Sequence, residues 1–184
     1  MTEESPGWDP LTGLQDRRYV LHELERHVEL YRRYRRPFSL LTVDFDNLDW
    51  FNDTFGRAAG DSALEYLATL IKVNLRDVDI SCRCAKDEFI VIMEEADKEA
   101  VQTVGRRIAA SAEKTTFKLG RDGVTLKVSF GTASCPDDGV EAEALLRAAG
   151  THEKPGDEAS IPADPAPPFP LPASEVEVSP PEEE

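Results

Sequence analysis

Cysteine, long apolar runs and positive charge are all scarce in this chain of 184 residues. No apolar run approaches the roughly 20 residues that a membrane span needs. The opening Met1-Thr2-Glu3-Glu4 is unlike the basic start of a secretory signal. We therefore expect a cytoplasmic protein with no membrane insertion. The three cysteines, at positions 82, 84 and 135, lack the paired C-x-x-C spacing of a zinc site, so we expect reduced thiols in or beside strands.

The net charge argues against two classes of partner. The chain has 21 basic side chains against 36 acidic ones, which gives a formal net charge of -15. Proteins that coat nucleic acid or an anionic membrane need clustered lysine and arginine, because their phosphate contacts release counterions. We therefore expect no nucleic-acid binding. Any nucleotide must be held locally by a few side chains.

The composition changes sharply after Gly150. Of the 34 residues from Thr151 to Glu184, nine are proline and nine are acidic, against the single base Lys154. Such a segment buries too little apolar surface to offset the entropy of ordering it, so we predict a disordered, acidic, proline-rich tail over 150–184. We predict a flexible N-terminus over 1–8 and one folded domain over 9–149, a length that suits an ordinary domain.

Apolar periodicity predicts helices that alternate with strands in the folded part. Four stretches have helical character, at 20–31, 64–75, 101–108 and around 141–149. Four runs have strand character, at 38–45, 80–84, 89–93 and 124–130, of which the second and third form a hairpin and the last is half-exposed. Pro37 should stop the first helix. This order indicates a central sheet wrapped by helices, in the α/β or α+β class.

Several short motifs appear in one order and at one spacing between residues 9 and 149. They are Asp9-Pro10-Leu11-Thr12-Gly13-Leu14, the strand end Asp44-Phe45-Asp46, the segment Asn52-Asp53-Thr54-Phe55-Gly56 with Gly60-Asp61, and the hairpin Arg83-Cys84-Ala85-Lys86-Asp87-Glu88-Phe89. Together they resemble the GGDEF domain of diguanylate cyclases, bacterial enzymes that condense two GTP into cyclic di-GMP. The resemblance implies a central sheet wrapped by helices, related to nucleotide cyclase and polymerase palm domains.

The resemblance also implies a metal site. Asp44 and the carbonyl of Phe45 match the groups that bind Mg²⁺ in the family. Asp87 and Glu88 match the acidic pair of the signature hairpin, which is used for metal binding and for activating the 3′ hydroxyl. Hard oxygen ligands from two elements repel one another unless a divalent cation lies between them, so the assignment is chemically sound.

A second pair of residues is implied to read the guanine base. Asn52 and Asp61 match these residues, and an amide and a carboxylate suit the donors and acceptors of the guanine edge. A purely structural interpretation stays open for single residues: Asp44 ends a strand, and Asp61 caps a helix that begins at Ser62. The joint register of the motifs favours the functional interpretation.

The sequence departs from the family at three places that bear on the triphosphate. Ala85-Lys86 stands where the family has Gly-Gly, and we expect Lys86 to add strain and bulk in a turn that glycines serve with positive φ. An ammonium there also suits a phosphate, so both interpretations stay open. Asp49 replaces a lysine that the family usually directs at the triphosphate. After Ala149 the family's second phosphate lysine and a closing piece of the fold are missing.

These departures predict a degenerate, C-terminally shortened domain with no catalytic residues. Positioning and electrostatics supply most of the rate in phosphoryl transfer, so the loss of cations and of the glycine turn should abolish turnover. The residues Asn52, Asp61, Ala85, Lys86, Asp87 and Glu88 would then be a vestigial active site, and Asp44, Phe45 and Asp87 a vestigial metal site. No cofactor is required, and Mg²⁺ is expected only if GTP is bound.

A product site is implied outside the active site. Arg76-x-x-Asp79 precedes the Ala85 hairpin by the spacing at which many family members carry an inhibitory product site, and Arg107 falls where a second product-binding arginine is found. Arginine forks fit phosphate oxygens and the O6/N7 edge of guanine, and a carboxylate accepts from N1 and N2. The alternative for Arg76 and Asp79 is an exposed ion pair at a helix end.

The sequence therefore predicts a cyclic di-GMP receptor or signalling adaptor that acts through an effector protein, with a ligand-dependent homodimer as a plausible output. Two other functions stay open. One is an interaction module that binds no nucleotide, in which Arg76 and Asp79 are relics. The other is a regulatory domain that binds GTP at Asp44, Asn52 and Asp61 with little or no cyclase activity.

Overall fold

The structure, a computed structural model, describes residues 7–119 and 122–150. Its helices are α1 (Arg17–Tyr34), α2 (Leu48–Phe55), α3 (Arg57–Val73), α4 (Lys98–Lys114) and α5 (Ala142–Ala149). Its strands are β1 (Phe38–Phe45), β2 (Ile80–Arg83), β3 (Glu88–Glu94), β4 (Thr116–Leu119), β5 (Asp122–Thr125) and β6 (Val128–Cys135). Of the predicted tail over 150–184, Gly150 is the C-cap of α5 and the rest lies outside the described residues.

A four-stranded antiparallel sheet in the order β2-β3-β1-β6 forms the centre of the domain. β4 and β5 form a separate two-stranded sheet. The predicted mixed α/β class is confirmed, with the helices packed on the central sheet. None of the helices within 7–119 and 122–150 combines the length and the apolar composition that a membrane span requires.

β1 is buried on both faces because its side chains alternate between two apolar clusters. Leu41, Val43 and Phe45 join the cluster that includes residues of α3 and α4. Phe38 and Leu40 join the cluster that includes residues of α1 and α5. Successive side chains of a strand point to opposite faces, so a strand covered on both sides is apolar almost throughout.

α1 begins and ends at residues whose roles are visible in the sequence. The carboxylate of Asp16 accepts the N–H of Tyr19 at 3.0 Å, which caps the first turn. Arg35 has a left-handed conformation with φ 57°, and its N–H donates to the carbonyl of Tyr31 at 2.8 Å. The helix therefore ends at Tyr34, shortly before Pro37.

The described part of the chain includes Gly7 and Trp8 of the predicted flexible N-terminus over 1–8. Gly7 donates its N–H to the carboxylate of Asp16 at 3.0 Å, and Trp8 pairs with Gln15 in an isolated bridge. Residues 1–6 lie outside the described part. The three cysteines are free thiols, as expected, and they lie within β2, just after it, and at the end of β6.

The predicted hairpin is confirmed, but its turn carries no backbone strain. The N–H groups of Cys84 and Ala85 both donate to the carbonyl of Glu88, at 2.8 and 3.3 Å. Among described non-glycine residues, φ is positive at Arg35, Asn47 and Glu95. The expectation of strain at Lys86 was therefore wrong, because this turn closes without a positive φ at either of the two positions where glycine was expected.

The predicted strand over 124–130 was also wrong as a single element. Thr125 ends β5, Val128 begins β6, and the two strands belong to different sheets. Between them the carbonyl of Lys127 accepts the N–H of Asp46 at 2.9 Å. The alternation continues through the break because Leu126 enters the same apolar cluster as the strand residues on either side. Apolar spacing alone therefore did not reveal the change of sheet.

Candidate functional site

The acidic residues of the predicted metal site meet at one end of the central sheet. In the strand register Asp44 of β1 lies opposite Glu88 of β3 and Ser129 of β6. Residues directly opposite in an antiparallel pair have their side chains on the same face. The N–H of Phe45 donates to the carbonyl of Asp87 at 3.0 Å. The sheet thus brings together the four residues that the sequence proposes around Mg²⁺.

The donor set suits a magnesium ion that also has a phosphate ligand. Within 7–119 and 122–150, no three or more histidine, cysteine, aspartate or glutamate side chains form a group fit to hold a metal. Mg²⁺ commonly takes one or two carboxylates and completes its octahedral shell with water and substrate phosphates. In the predicted site Asp44 and Asp87 would supply two carboxylates and Phe45 a carbonyl oxygen, and Glu88 lies opposite Asp44 on the next strand. The nearby Asp46 accepts the hydroxyl of Ser129 at 2.9 Å.

The two proposed guanine-reading residues lie on neighbouring helices. Asn52 is half-buried on α2, and Asp61 is exposed on α3. Gly60 packs directly against the side chain of Asn52, so that a Cβ at position 60 would overlap its Oδ1. Because α3 begins at Arg57, Asp61 lies inside the helix. The interpretation of Asp61 as a helix cap was therefore wrong.

Two residues at positions where the resemblance implies other residues contact each other near the start of α2. The ammonium of Lys86 on the hairpin donates a hydrogen bond to the carboxylate of Asp49 in the first turn of α2. Their side chains are 55% and 83% exposed, so solvent screens the pair. Ala85 precedes Lys86 in the turn and is exposed. The position where the family resemblance implies a lysine thus holds the carboxylate of Asp49, which accepts a hydrogen bond from Lys86.

Arg83 connects the hairpin to the first loop of the domain. Its Nη1 donates to Oδ2 of Asp9 at 3.2 Å, and its Nη2 donates to the carbonyl of Lys86 at 2.5 Å. Asp9 also accepts the hydroxyl and the N–H of Thr12 at 2.6 and 2.8 Å. Burial alone would raise the pKa of Asp9, but the hydrogen bonds from Thr12 and the charge of Arg83 outweigh it and lower the pKa.

The sequence motifs contained both members of this pair but did not indicate that they touch. The sequence also did not indicate the environment of the Cys84 thiol, which follows β2. Burial, followed by the charge of Glu88, raises the pKa of Cys84 to about 12. This thiol is therefore protonated at neutral pH and is a poor nucleophile.

Asp79 shapes the turn that follows α3. Its carboxylate accepts the N–H of Arg76 at 2.9 Å and the N–H of Glu94 at 3.3 Å. Its own N–H donates to the carbonyl of Arg76 at 3.0 Å. The bond between the two residues therefore runs to the backbone of Arg76, and the alternative of a side-chain ion pair was wrong. The exposed side chain of Arg76 makes no hydrogen bond or ion pair with the part of the chain that the structure describes.

Arg107 reaches the same corner of the domain from α4. Its Nη2 donates to the carbonyl of Asn74 at 3.0 Å, and Asn74 is the C-cap of α3, two residues before Arg76. Nε of Arg107 is buried and has no hydrogen-bond partner among the described residues. The guanidinium of Arg107 thus lies at the turn that contains Arg76 and Asp79.

A protein-family model matches most of the chain. The family model described as "Diguanylate cyclase, GGDEF domain" matches residues 7–153. The chain belongs to the GGDEF family. The match includes the loop after Asp9, both proposed pockets and the signature hairpin with its Ala85-Lys86 variation.

Relatives of this GGDEF domain with curated descriptions are longer proteins. Response regulator PleD of Caulobacter vibrioides is 33% identical over 143 residues, which cover 77% of this chain and 32% of PleD. Diguanylate cyclase DosC of Escherichia coli is 32% identical over 128 residues, which cover 69% of this chain and 28% of DosC. The chain therefore spans about a third of the length of these relatives.

Solved GGDEF domains have the same fold. The GGDEF domain of TpbB, or YfiN, from Pseudomonas aeruginosa superposes with a TM-score of 0.73 at 29% identity, covering 78% of this chain and 84% of that one. A microbial GGDEF domain described in its interaction with cyclic di-GMP superposes with a TM-score of 0.66 at 30% identity, covering 78% and 87%. The GGDEF domain of DgcB from Caulobacter crescentus, solved in complex with cyclic di-GMP, shares the fold with a TM-score of 0.73 at 23% identity and coverage of 82% and 88%.

Proposed function

We propose that this GGDEF domain is a receptor for cyclic di-GMP and has no useful cyclase activity. The observation that carries the proposal is the approach of Arg107 to the turn after α3, where its Nη2 lies 3.0 Å from the carbonyl of Asn74. Arg76 follows Asn74 by two residues, and Asp79 holds the same turn closed. Two guanidinium groups and one carboxylate are therefore available at one corner of the domain.

The chemistry of these groups suits a cyclic dinucleotide. The guanidinium fork of Arg76 has donors for phosphate oxygens or for O6 and N7 of guanine. Arg107 brings a second guanidinium group to this corner. Oxygen atoms of Asp79 accept two N–H groups already, and each carboxylate oxygen has a second lone pair for guanine N1 or N2. A 30% identical relative described with cyclic di-GMP supports the choice of ligand.

The lack of cyclase activity rests on the charges beside the triphosphate position. Asp49 brings a carboxylate to the start of α2, where the family resemblance implies a lysine. A triphosphate carries about four negative charges, and like charges within a few ångströms oppose binding. Lys86 is engaged by Asp49, so its ammonium offsets that carboxylate before it can serve a phosphate. Substrate is then held too weakly for in-line attack.

The output of the receptor is proposed to be association with another protein. A cyclic di-GMP molecule at the turn after α3 would present its second guanine to solvent, because Arg76 is exposed. A second copy of this domain or an effector protein would complete the site. Size-exclusion chromatography with light scattering, with and without cyclic di-GMP, tests the homodimer; an unchanged mass at saturating ligand contradicts it.

Calorimetric titration of cyclic di-GMP into the wild type and Arg76→Ala tests the receptor. We expect saturable binding to the wild type and at least about tenfold weaker binding to the variant, because a charge-assisted hydrogen bond to phosphate is lost. Arg106→Ala is the matched control, since Arg106 is an exposed arginine next to Arg107 on the same helix. Absence of binding to the wild type, or equal losses in both variants, contradicts the proposal.

A direct assay tests the second half of the proposal. The purified chain is incubated with GTP and Mg²⁺ or Mn²⁺, and the products are separated by chromatography. We expect no cyclic di-GMP above the background of a chain that carries Glu88→Gln. Multiple-turnover product from the wild type overturns the inactive assignment while leaving the titration result intact.

A second candidate function is regulatory binding of GTP without cyclisation. The packing of Asn52 against Gly60 and the register of Asp44 with Glu88 favour it, because each brings together two residues of the proposed nucleotide site. Asp61→Ala should then weaken GTP binding and leave the affinity for cyclic di-GMP unchanged. Mg²⁺ would enter with GTP, held by Asp44, the carbonyl of Phe45 and Asp87. Equal effects on both ligands would contradict this separation of sites.

A further inference from the structure

A cleft of about 430 Å³ opens between the loop that starts at Asp9, the start of α1 and the signature hairpin. Basic side chains outnumber acidic ones in its lining, which is unusual in a chain with a net charge of -15. The charged residues of the lining are Arg17, Arg18, Arg83, Lys86, Asp9 and Asp16. The cleft contains none of the residues proposed to bind cyclic di-GMP.

Both carboxylates of the cleft are already engaged by the protein. Asp9 accepts from Thr12 and from Arg83. Asp16 accepts the N–H groups of Gly7 and Tyr19, each at 3.0 Å, and the side chain of Arg18 at 2.8 Å. Neither carboxylate is therefore free to neutralise a further cation in the cleft.

Two guanidinium groups of the cleft have donors to spare. Arg17 is exposed at the first position of α1 and makes no hydrogen bond or ion pair with the described residues. Nε of Arg83 is buried and has no hydrogen-bond partner within that same part of the chain. A buried donor without an acceptor costs free energy, so a shift of the Arg83 side chain towards an anion in the cleft would be favourable. The N-terminus of α1 adds a favourable field for negative charge.

We propose that this cleft binds a small anion that contains a diphosphate group. Two arginines with unused donors match the several oxygens of a diphosphate better than those of a carboxylate or a single sulfate. Among the described lining residues none is aromatic, so the cleft offers no stacking surface for a base. The cleft would therefore bind the ligand through its phosphate groups and would not require a nucleoside.

The position of the cleft couples it to the nucleotide pocket. Lys86 lines the cleft and also donates to Asp49, and Arg83 donates to the carbonyl of Lys86. An anion that attracts Lys86 into the cleft would release Asp49. The hairpin would then respond to the cleft ligand without any contact between the ligand and β1 or β3.

Calorimetric titration of the full chain with inorganic pyrophosphate at constant ionic strength tests the proposal. We expect saturable binding at one site and at least about tenfold weaker binding in Arg17→Ala, because Arg17 contributes a charge-assisted hydrogen bond. Arg36→Ala, an exposed arginine beyond the other end of α1, is the matched control and should bind like the wild type. Thermal unfolding of each variant verifies that both remain folded.

Three results would overturn the diphosphate site. They are an absence of binding to the wild type, equal affinities in wild type and Arg17→Ala, and an equal affinity for sulfate, which would mean general ion attraction. The cyclic di-GMP titration on Arg17→Ala separates the two sites, since its affinity should stay at the wild-type value. A negative titration result for one of the two sites therefore does not affect the test of the other site.

Discussion

The ammonium of Lys86 donates a hydrogen bond to the carboxylate of Asp49, which joins the signature hairpin to the first turn of α2. The two positions are 37 residues apart in the chain. Each places a charge beside the proposed nucleotide site, and the two charges offset each other. Because both side chains are largely exposed, the pair should contribute less than about 1 kcal/mol to stability. We therefore expect the Lys86–Asp49 pair to affect ligand binding more than stability.

Asp49→Asn should strengthen GTP binding several-fold. The substitution removes a negative charge from the triphosphate position and releases the ammonium of Lys86 for a phosphate. Titration of GTP with Mg²⁺ measures the change. Asp53→Asn removes an exposed carboxylate from the same helix and is the matched control. A weaker affinity in Asp49→Asn would contradict the assignment of Asp49 as an opposing charge.

Gly60→Ala should displace the side chain of Asn52 and weaken GTP binding. A methyl group at position 60 would overlap Oδ1 of Asn52, the end of a side chain that can rotate away. In the Asn52→Ala background the overlap is absent. There the same substitution should stabilise the protein by roughly 0.5–1 kcal/mol, because alanine favours a helix over glycine. Urea denaturation of the wild type, Gly60→Ala, Asn52→Ala and the double variant measures the free energy of unfolding. An identical effect of Gly60→Ala in both backgrounds would contradict the contact with Asn52.

Asp79→Ala should destabilise the domain by about 1–2 kcal/mol, because two N–H groups lose their acceptor. Arg76→Ala should change the free energy of unfolding by no more than about 0.5 kcal/mol, since its exposed side chain bonds to no described residue. Asp77→Ala, in the same turn, is the control for a change of charge. Loss of cyclic di-GMP binding without loss of stability is thus expected only in Arg76→Ala.

Asp9 should stabilise the domain in a pH-dependent way. Its pKa is lowered in the folded protein, so the folded state favours the ionised form and the stabilisation is present above the unfolded pKa of about 4. The contribution is lost as pH falls below that value and the carboxylate is protonated. The difference in unfolding free energy between the wild type and Asp9→Asn should be constant above about pH 5 and shrink below about pH 4. A difference that grows on acidification would contradict the role of Arg83 and Thr12.

Local patterns in the sequence predicted most of the elements. Helical spacing indicated α1, α3 and α4, and two β-prone runs indicated the hairpin of β2 and β3. These predictions succeed because burial of one face imposes a period on nearby residues. α2 was not predicted, because its buried side chains, Leu48 and Phe51, form no repeated pattern. β4 was missed because four residues are too few to display an alternation.

The sequence by itself determined the family, the order of the elements and the residues present at each motif, because these depend on neighbours along the chain. The tertiary structure alone decided which distant side chains meet. Lys86 reaches Asp49, Arg83 reaches Asp9 and Arg107 reaches Asn74 only after the helices pack on the sheet. Such contacts leave no period in the sequence, since each depends on the packing of two separate elements against a common core.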